Sequence, residues 1–353
     1  MTDAAGRPVA AGMQNEGSRI VISVDDSSAV YPLTIDPLLW EEQPVAASDG
    51  RTHDQFGFAV AISGATAIIG APAAMIRGHV FEGAAYVFTK SNGVWGETQK
   101  LSPSDNLSRD SFGWSVALDG TTAVVGATGL LGSGASRGGD AAKQGAAYVF
   151  TESSGVWSET QMLAANDGIN YDEFGWSVAI SGTNMFVGAL NSGHSLTATG
   201  AVYVFTLNDG VWTPGPKLLP DDSGPSDGFG DSIAATADTL LVGSPLAEVN
   251  GQSKQGAVYV FTQSAGSWTQ TQKFTADDGA NDNFFGDAVA VSGSTALIGA
   301  SYATVAGNRY QGAAYVFGEA GGTWTQEQKL VAADGEANDN FGTAVALAGA
   351  RAR

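Results

Sequence analysis

Carboxylates recur along this 353-residue chain at fixed places. Phe-Gly pairs open at Phe56, Phe112, Phe174, Phe229, Phe285 and Phe341, and seven residues before each stands an aspartate: Asp49, Asp105, Asp167, Asp222, Asp278 and Asp334. Two residues before the phenylalanine stand Asp54, Asp110, Asp172, Asp227 and Asp339; the fifth copy has Asn283 there, with Asp282 beside it. Carboxylates and amides gathered in one loop suit a hard cation such as Ca2+, which draws roughly six to eight oxygens. Asp334, Glu336, Asn338 and Asp339 furnish the fullest loop of this kind. The same aspartates also suit turns, where a short carboxylate accepts backbone N–H groups. The intervening residues, Arg51 and His53 in one copy and Leu107 and Arg109 in the next, do not keep ligand spacing, which favours the turn reading.

Other chemistry finds less support. Two carboxyl groups with divergent proton affinities would serve a glycan hydrolase or lyase, and the acidic loops are where such a pair would be sought. Gly134-Ala135-Ser136-Arg137-Gly138 fits a nucleophile pattern that needs a strand before it and a helix after it, whereas here it lies in a Gly-rich insertion. His53, His79 and His194 fall in separate loops with no spacing for a metal or a triad. Trp114 and Trp176 follow consecutive Phe-Gly pairs, where the other copies carry Phe58, Asp231, Asp287 and Thr343. Neighbouring aromatics there would stack on a sugar or pack between sheets.

The elements that position these residues repeat with them. Gly-Ala-Ala-Tyr-Val-Phe occurs at 83–88, 145–150 and 312–317, and Gly-Ala-Val-Tyr-Val-Phe at 200–205 and 256–261. The Phe-Gly pairs lie 56, 62, 55, 56 and 56 residues apart, so one supersecondary unit is copied along the chain. Within the unit from Phe112 the pattern predicts strands over 112–118, 121–125, 146–150 and 156–163, with turns at Asp119-Gly120 and Ser154-Gly155. A tryptophan follows the last phenylalanine of strand three by seven residues in every unit, Phe88 to Trp95 through Phe317 to Trp324, with a glycine two residues before it. Strand three is apolar at successive positions, so both faces must be covered, as in the blades of a β-propeller. From the glycine ending strand two to the glycine opening strand three the counts are 13, 19, 12, 13 and 13, which confines length variation to the 2–3 loops. In a four-strand meander these loops share one end of the sheet with the acidic 4–1 loops.

The Phe-Gly opening, Gly70-Ala71-Pro72 and the Tyr-Val-Phe strand resemble the FG-GAP repeat, which builds the propeller of integrin α subunits and of many bacterial surface or secreted proteins. The likeness covers about residues 28–353 and is nearer to the bacterial integrin-α-like branch. It implies an extracellular or cell-surface location and a part in adhesion or ligand binding. Integrin-type propellers hold Ca2+ in Asp-rich 1–2 loops; here those loops read Ser63-Gly64-Ala65, Asp119-Gly120-Thr121, Ser181-Gly182-Thr183, Ala237-Asp238-Thr239 and Ser292-Gly293-Ser294, so that site does not carry over.

Bulk properties narrow the field. Thirty-six acidic against sixteen basic residues leave a net charge of −20, which repels nucleic acid and anionic membranes. The absence of cysteine excludes disulfides and thiolate chemistry. The N-terminus lacks a signal-peptide pattern. Residues 56–76 carry no charge, but Gly57, Gly64, Gly70 and Pro72 interrupt them, so two strands and a turn are expected there and not a membrane span. Tyr31 and Trp40 keep the nine-residue spacing of Tyr86 and Trp95, which suggests that the N-terminus supplies half of a sixth blade begun at Phe341, against which stand Pro32 and Pro37. The expectation is an N-terminal extension over 1–27 followed by a monomeric all-β propeller over 28–353, of about six blades or an incomplete seven. Its expected role is a non-enzymatic interaction module gripping a protein or glycan through the 2–3 and 4–1 loops. A glycan hydrolase or lyase, and a structural spacer, are the alternatives.

Overall fold

The computed structural model describes residues 11–16, 19–24, 43–76, 81–105, 110–129, 144–191, 198–222 and 224–349, and divides the chain into two units, Met1–Pro44 and Val45–Arg353. In the first unit β1 (Ala11–Glu16) and β2 (Arg19–Val24) pair antiparallel. Tyr31, Pro32, Pro37 and Trp40, on which closure of a sixth blade turns, lie outside the described residues.

The second unit holds five four-stranded antiparallel sheets, each strand pairing with the next along the chain. They are β3 (Val60–Ser63), β4 (Thr66–Ala71), β5 (Ala84–Ser91) and β6 (Val94–Leu101); β7 (Phe112–Asp119), β8 (Thr122–Ala127), β9 (Ala146–Ser153) and β10 (Val156–Leu163); β11 (Phe174–Ser181), β12 (Asn184–Ala189), β13 (Ala201–Asn208) and β14 (Val211–Leu218); β15 (Ile233–Ala235), β16 (Thr239–Ser244), β17 (Ala257–Ser264) and β18 (Ser267–Phe274); and β19 (Phe285–Ser292), β20 (Thr295–Ala300), β21 (Ala313–Ala320) and β22 (Thr323–Leu330). The described residues contain no helix, and none therefore that could cross a membrane. First strands of successive sheets touch, β3 on β7, β7 on β11, β11 on β15 and β15 on β19, which makes the arrangement propeller-like with these strands innermost.

Local chemistry explains the pattern. The hairpins joining strands three and four put two successive residues at positive φ, Ser154 (54°) and Gly155 (82°) in the second sheet, a twist that suits the flanking strands. Strand three is buried on both faces: Ala84, Ala85, Tyr86, Val87 and Phe88 are all at most 3% exposed. Each core lies between neighbouring sheets, so Val124 and Val149 of the second pack with Val187 and Phe205 of the third. Phe112 meets Tyr148 and Phe150 edge-on at 5.4 and 5.9 Å, and the same triad recurs around Phe174, Phe229 and Phe285.

The glycines are contact points between sheets. Phe112 bridges in parallel to Gly83 of the preceding sheet, and Gly113, at φ 93°, presses its carbonyl against Gly70 so closely that a Cβ there would collide with it. Backbone thus packs on backbone where one blade follows the next. The outer edges are tied as well: Gln99 donates to Trp157 O (2.7 Å) and accepts from Trp157 N (2.8 Å), an arrangement Gln161 repeats on Trp212 and Gln272 on Trp324. Phe341 makes the same bridge to Gly312, but residues 342–349 form no strand and Phe341 is 37% exposed where Phe112 is fully buried.

Candidate active site

Periodic aspartates occupy the rim. Asp49 accepts from the Tyr86 hydroxyl (2.8 Å) and the Lys100 ammonium (2.7 Å), joining the 4–1 loop to strands three and four of its own sheet. Asp167 does so with Tyr203 and Lys217, Asp222 with Tyr259 and Lys273, and Asp278 with Tyr315 and Lys329. Each lysine also lies over its tyrosine ring, 5.0–5.3 Å from the centre. In the second sheet Met162 replaces the lysine, and Asp105 keeps the bond from Tyr148 (2.7 Å). The Lys100 hydrogen bond, with that of Tyr86, holds the Asp49 carboxyl below the ordinary value. For Asp167, Asp222 and Asp278 burial pushes upward, but the lysine and tyrosine together outweigh it and the carboxyls again lie low.

The second set caps turns. Asp54 accepts from Arg51 N (2.8 Å), Asp172 from Ile169 N (2.9 Å), Asp227 from Gly224 N (2.6 Å) and Asp339 from Glu336 N (2.7 Å). Asp54, Asp110, Asp172, Asp227 and Asn283 are buried, while Asp282, Asp334, Glu336, Asn338 and Asp339 are exposed. Burial, with the charges of Asp105 and Glu82, pushes the Asp110 carboxyl up to about 8. Among the described residues no three acidic or histidine side chains converge to hold a metal ion. His53 is exposed in a loop; His79, His194, Leu107, Arg109 and the Gly134–Gly138 motif lie outside the described residues.

A second group of carboxylates stands at the innermost strands. In β7, β11 and β19 the Phe-Gly pair forms a bulge, Phe112 facing Ala127 but Ser115 facing Gly126, and such a bulge re-aims the residue that follows. That residue is Phe58, Trp114, Trp176, Asp231 and Asp287 in the five sheets, and they form one arc. Phe58 lies 4.7 Å from Trp114, and Trp114 lies 4.9 Å from Trp176. The Trp176 indole donates to Asp231 (3.1 Å), and Asp287 accepts from the hydroxyl of Ser301, a residue 1% exposed. The backbone beneath is fixed: Ser177 Oγ donates to Gly230 O (2.6 Å) and Ser232 Oγ to Gly286 O (2.7 Å), holding the residues just before each carboxylate.

Electrostatics there run opposite to the rim. Burial, then the charge of Asp287, raises the Asp231 carboxyl to about 7 against the pull of the Trp176 hydrogen bond. Burial raises Asp287 as well, opposed by Ser301. Both residues are half-buried. Two neighbouring acids of raised proton affinity, flanked by three accessible aromatics, can donate and accept a proton beside a stacked ring. A shallow hollow beside β14, lined by Tyr203, Pro214 and Lys217, offers nothing comparable, since Lys217 is committed to Asp167. Sequence reasoning named Asp231 and Asp287 only as residues occupying the tryptophan position; the signal available was two successive copies carrying an acid where the periodic acids do not fall.

Comparisons with known proteins bear on this site. No curated protein matches the chain. Among solved structures, the periplasmic gluconolactonase of Pseudomonas aeruginosa superposes with a TM-score of 0.51 at 14% identity, over 93% of this chain and 84% of its own. A candidate 6-phosphogluconolactonase of Bacteroides fragilis gives 0.51 at 13% identity, over 78% and 71%. These likenesses concern the fold. They nevertheless correct the expectation of a non-enzymatic module, because this architecture is found in proteins named for hydrolytic activity and the lack of a familiar linear motif does not exclude catalysis. The FG-GAP repeat model matches residues 40–88, 95–150, 157–205, 212–261, 268–317 and 324–352, six copies over most of the length, and the chain belongs to the FG-GAP repeat family.

Proposed function

We propose that the chain is a hydrolase acting on a glycan, with Asp231 as proton donor and Asp287 as the carboxylate that activates water. The observation that carries this is the pair at one position of two successive sheets: burial and the charge of Asp287 raise Asp231 to about 7, so it keeps its proton near neutrality, and Asp287, raised by burial as well, accepts from the Ser301 hydroxyl, which favours its ionised form. In the step, Asp231 protonates the glycosidic oxygen as the C–O bond breaks. Water adds to the anomeric carbon and gives its proton to Asp287. Phe58, Trp114 and Trp176 would offer their faces to the sugar rings. A glycan substrate also agrees with the extracellular location that family resemblance implies.

Reducing-end release from a panel of polysaccharides by the purified chain tests this. Cleavage lost in both Asp231→Asn and Asp287→Asn, with a rate that declines above about pH 7, is the expected result. Turnover indifferent to both substitutions would overturn it. The gluconolactonase folds favour a second reading, opening of a sugar lactone by the same pair, and gluconolactone in the panel separates the two.

A further inference from the structure

We infer that the loops of the fourth and fifth sheets form an outer subsite for a negatively charged sugar, so that the substrate is an acidic, uronate-bearing glycan. This rests on the reading of Asp231 and Asp287 given above. Five side chains run in series beside Asp287. The Lys254 ammonium lies 6.0 Å from the centre of the Phe284 ring; Phe284 meets Tyr302 edge-on at 4.6 Å; Tyr302 meets Tyr310 at 5.1 Å; and the Arg309 guanidinium lies 5.0 Å from the Tyr310 ring.

The series is joined to the acid pair through the chain. Asp287 N donates to Phe284 O (3.1 Å), and Tyr302 follows Ser301, whose hydroxyl is bound to Asp287. Phe284 takes φ 55°, the left-handed turn that Gln55, Ser111, Glu173, Gly228 and Asn340 take at the same position of the other copies, and Tyr310 and Lys254 share theirs with Phe81.

Charge points to the ligand. In a chain of net charge −20, Lys100, Lys217, Lys273 and Lys329 are each spent on a rim aspartate. Lys254 and Arg309 are exposed and, among the described residues, form no ion pair. The neighbouring acidic loop turns Asp339 onto its own backbone at Glu336 N. Two cations outside any ion pair, Arg309 donating only to the Tyr310 hydroxyl (3.0 Å) among the described residues, bracket three rings, one of them 39% exposed, and fit an alternation of sugar faces and carboxylates: the rings take the apolar faces and the guanidinium pairs with a uronate.

Calorimetric titration of the full chain with oligogalacturonate and oligomannuronate, each beside its methyl ester, tests the subsite. An acid should bind at least about tenfold more tightly than its ester at low salt, and Arg309→Gln or Lys254→Gln should each remove about three- to tenfold of that preference. Asp231→Asn should abolish cleavage and leave the preference intact. Equal affinity for every acid and its ester, or a preference untouched by Arg309→Gln, would overturn the subsite. Acid-selective binding without turnover would keep it and discard the hydrolase reading instead.

Discussion

Two sets of aspartates divide this molecule. Those at the rim, Asp49, Asp167, Asp222 and Asp278, are each held by a tyrosine and a lysine, and their carboxyls lie below the ordinary value. Those at the innermost strands, Asp231 and Asp287, stand at the same position of successive sheets, and burial raises both, Asp231 further by the charge of Asp287. One residue type therefore does opposite work. The rim acids recur in step with the repeat and stabilise it, as a unit must when each copy rests on the next. The inner acids occupy only two of the copies and, among the described residues, form no ion pair. In a repeat protein, the residue that departs from its register is where chemistry is to be sought.

The contrast can be broken by substitution. The largest expected effect is on turnover: Asp231→Asn should lower kcat by about 10²–10⁴, the usual worth of a positioned acid, while the fold and the melting transition persist. Next is the rim, where Asp222→Ala strips the acceptor from the Tyr259 hydroxyl of a fully buried side chain, and chemical denaturation should register a loss of roughly 1–3 kcal/mol. Since the rim carboxyls titrate low, their contribution is complete above the ordinary 3.8 and fades as pH falls through their lowered values; wild type and Asp222→Ala should converge in strong acid. The inner pair has the opposite sign. Ionising Asp231 costs stability between 3.8 and about 7, so Asp231→Asn should raise the unfolding free energy at pH 8 by on the order of 2 kcal/mol after allowance for water reaching the site, and change nothing at pH 4. A stabilisation equal at both values would refute the electrostatic account. The smallest effect is Lys273→Met, which copies the second sheet's Met162 and should cost under about 1 kcal/mol, because both partners are partly solvated.

Much of this architecture was legible in the residues. Phe-Gly spacing, the glycine before each tryptophan and the doubly apolar third strand led to the sheets almost strand for strand, because each rests on local sterics or on burial at a fixed period. The turn reading of Asp54, Asp172, Asp227 and Asp339 was legible too, since the capped N–H lies three residues away. The Asp49–Tyr86–Lys100 junction was not, being drawn together across three strands. Nor was the electrostatic coupling of Asp231 to Asp287, separated by a whole unit. Alternation along the first strand does not say which side chains face inward, because the Phe-Gly bulge resets it.

The backbone seat of Gly113 against Gly70 has a consequence for how such proteins diversify. A junction made of peptide groups constrains only the glycines that form it, so this seat can be copied unchanged through gene duplication or unequal recombination while the core and edge contacts keep successive copies matched. The residue just beyond the seat takes no part in that junction and can change from copy to copy, answering only to its neighbours along the inner arc. Phenylalanine, tryptophan, tryptophan, aspartate and aspartate in turn are what such drift leaves behind, and a new specificity could be written there without relearning how to assemble.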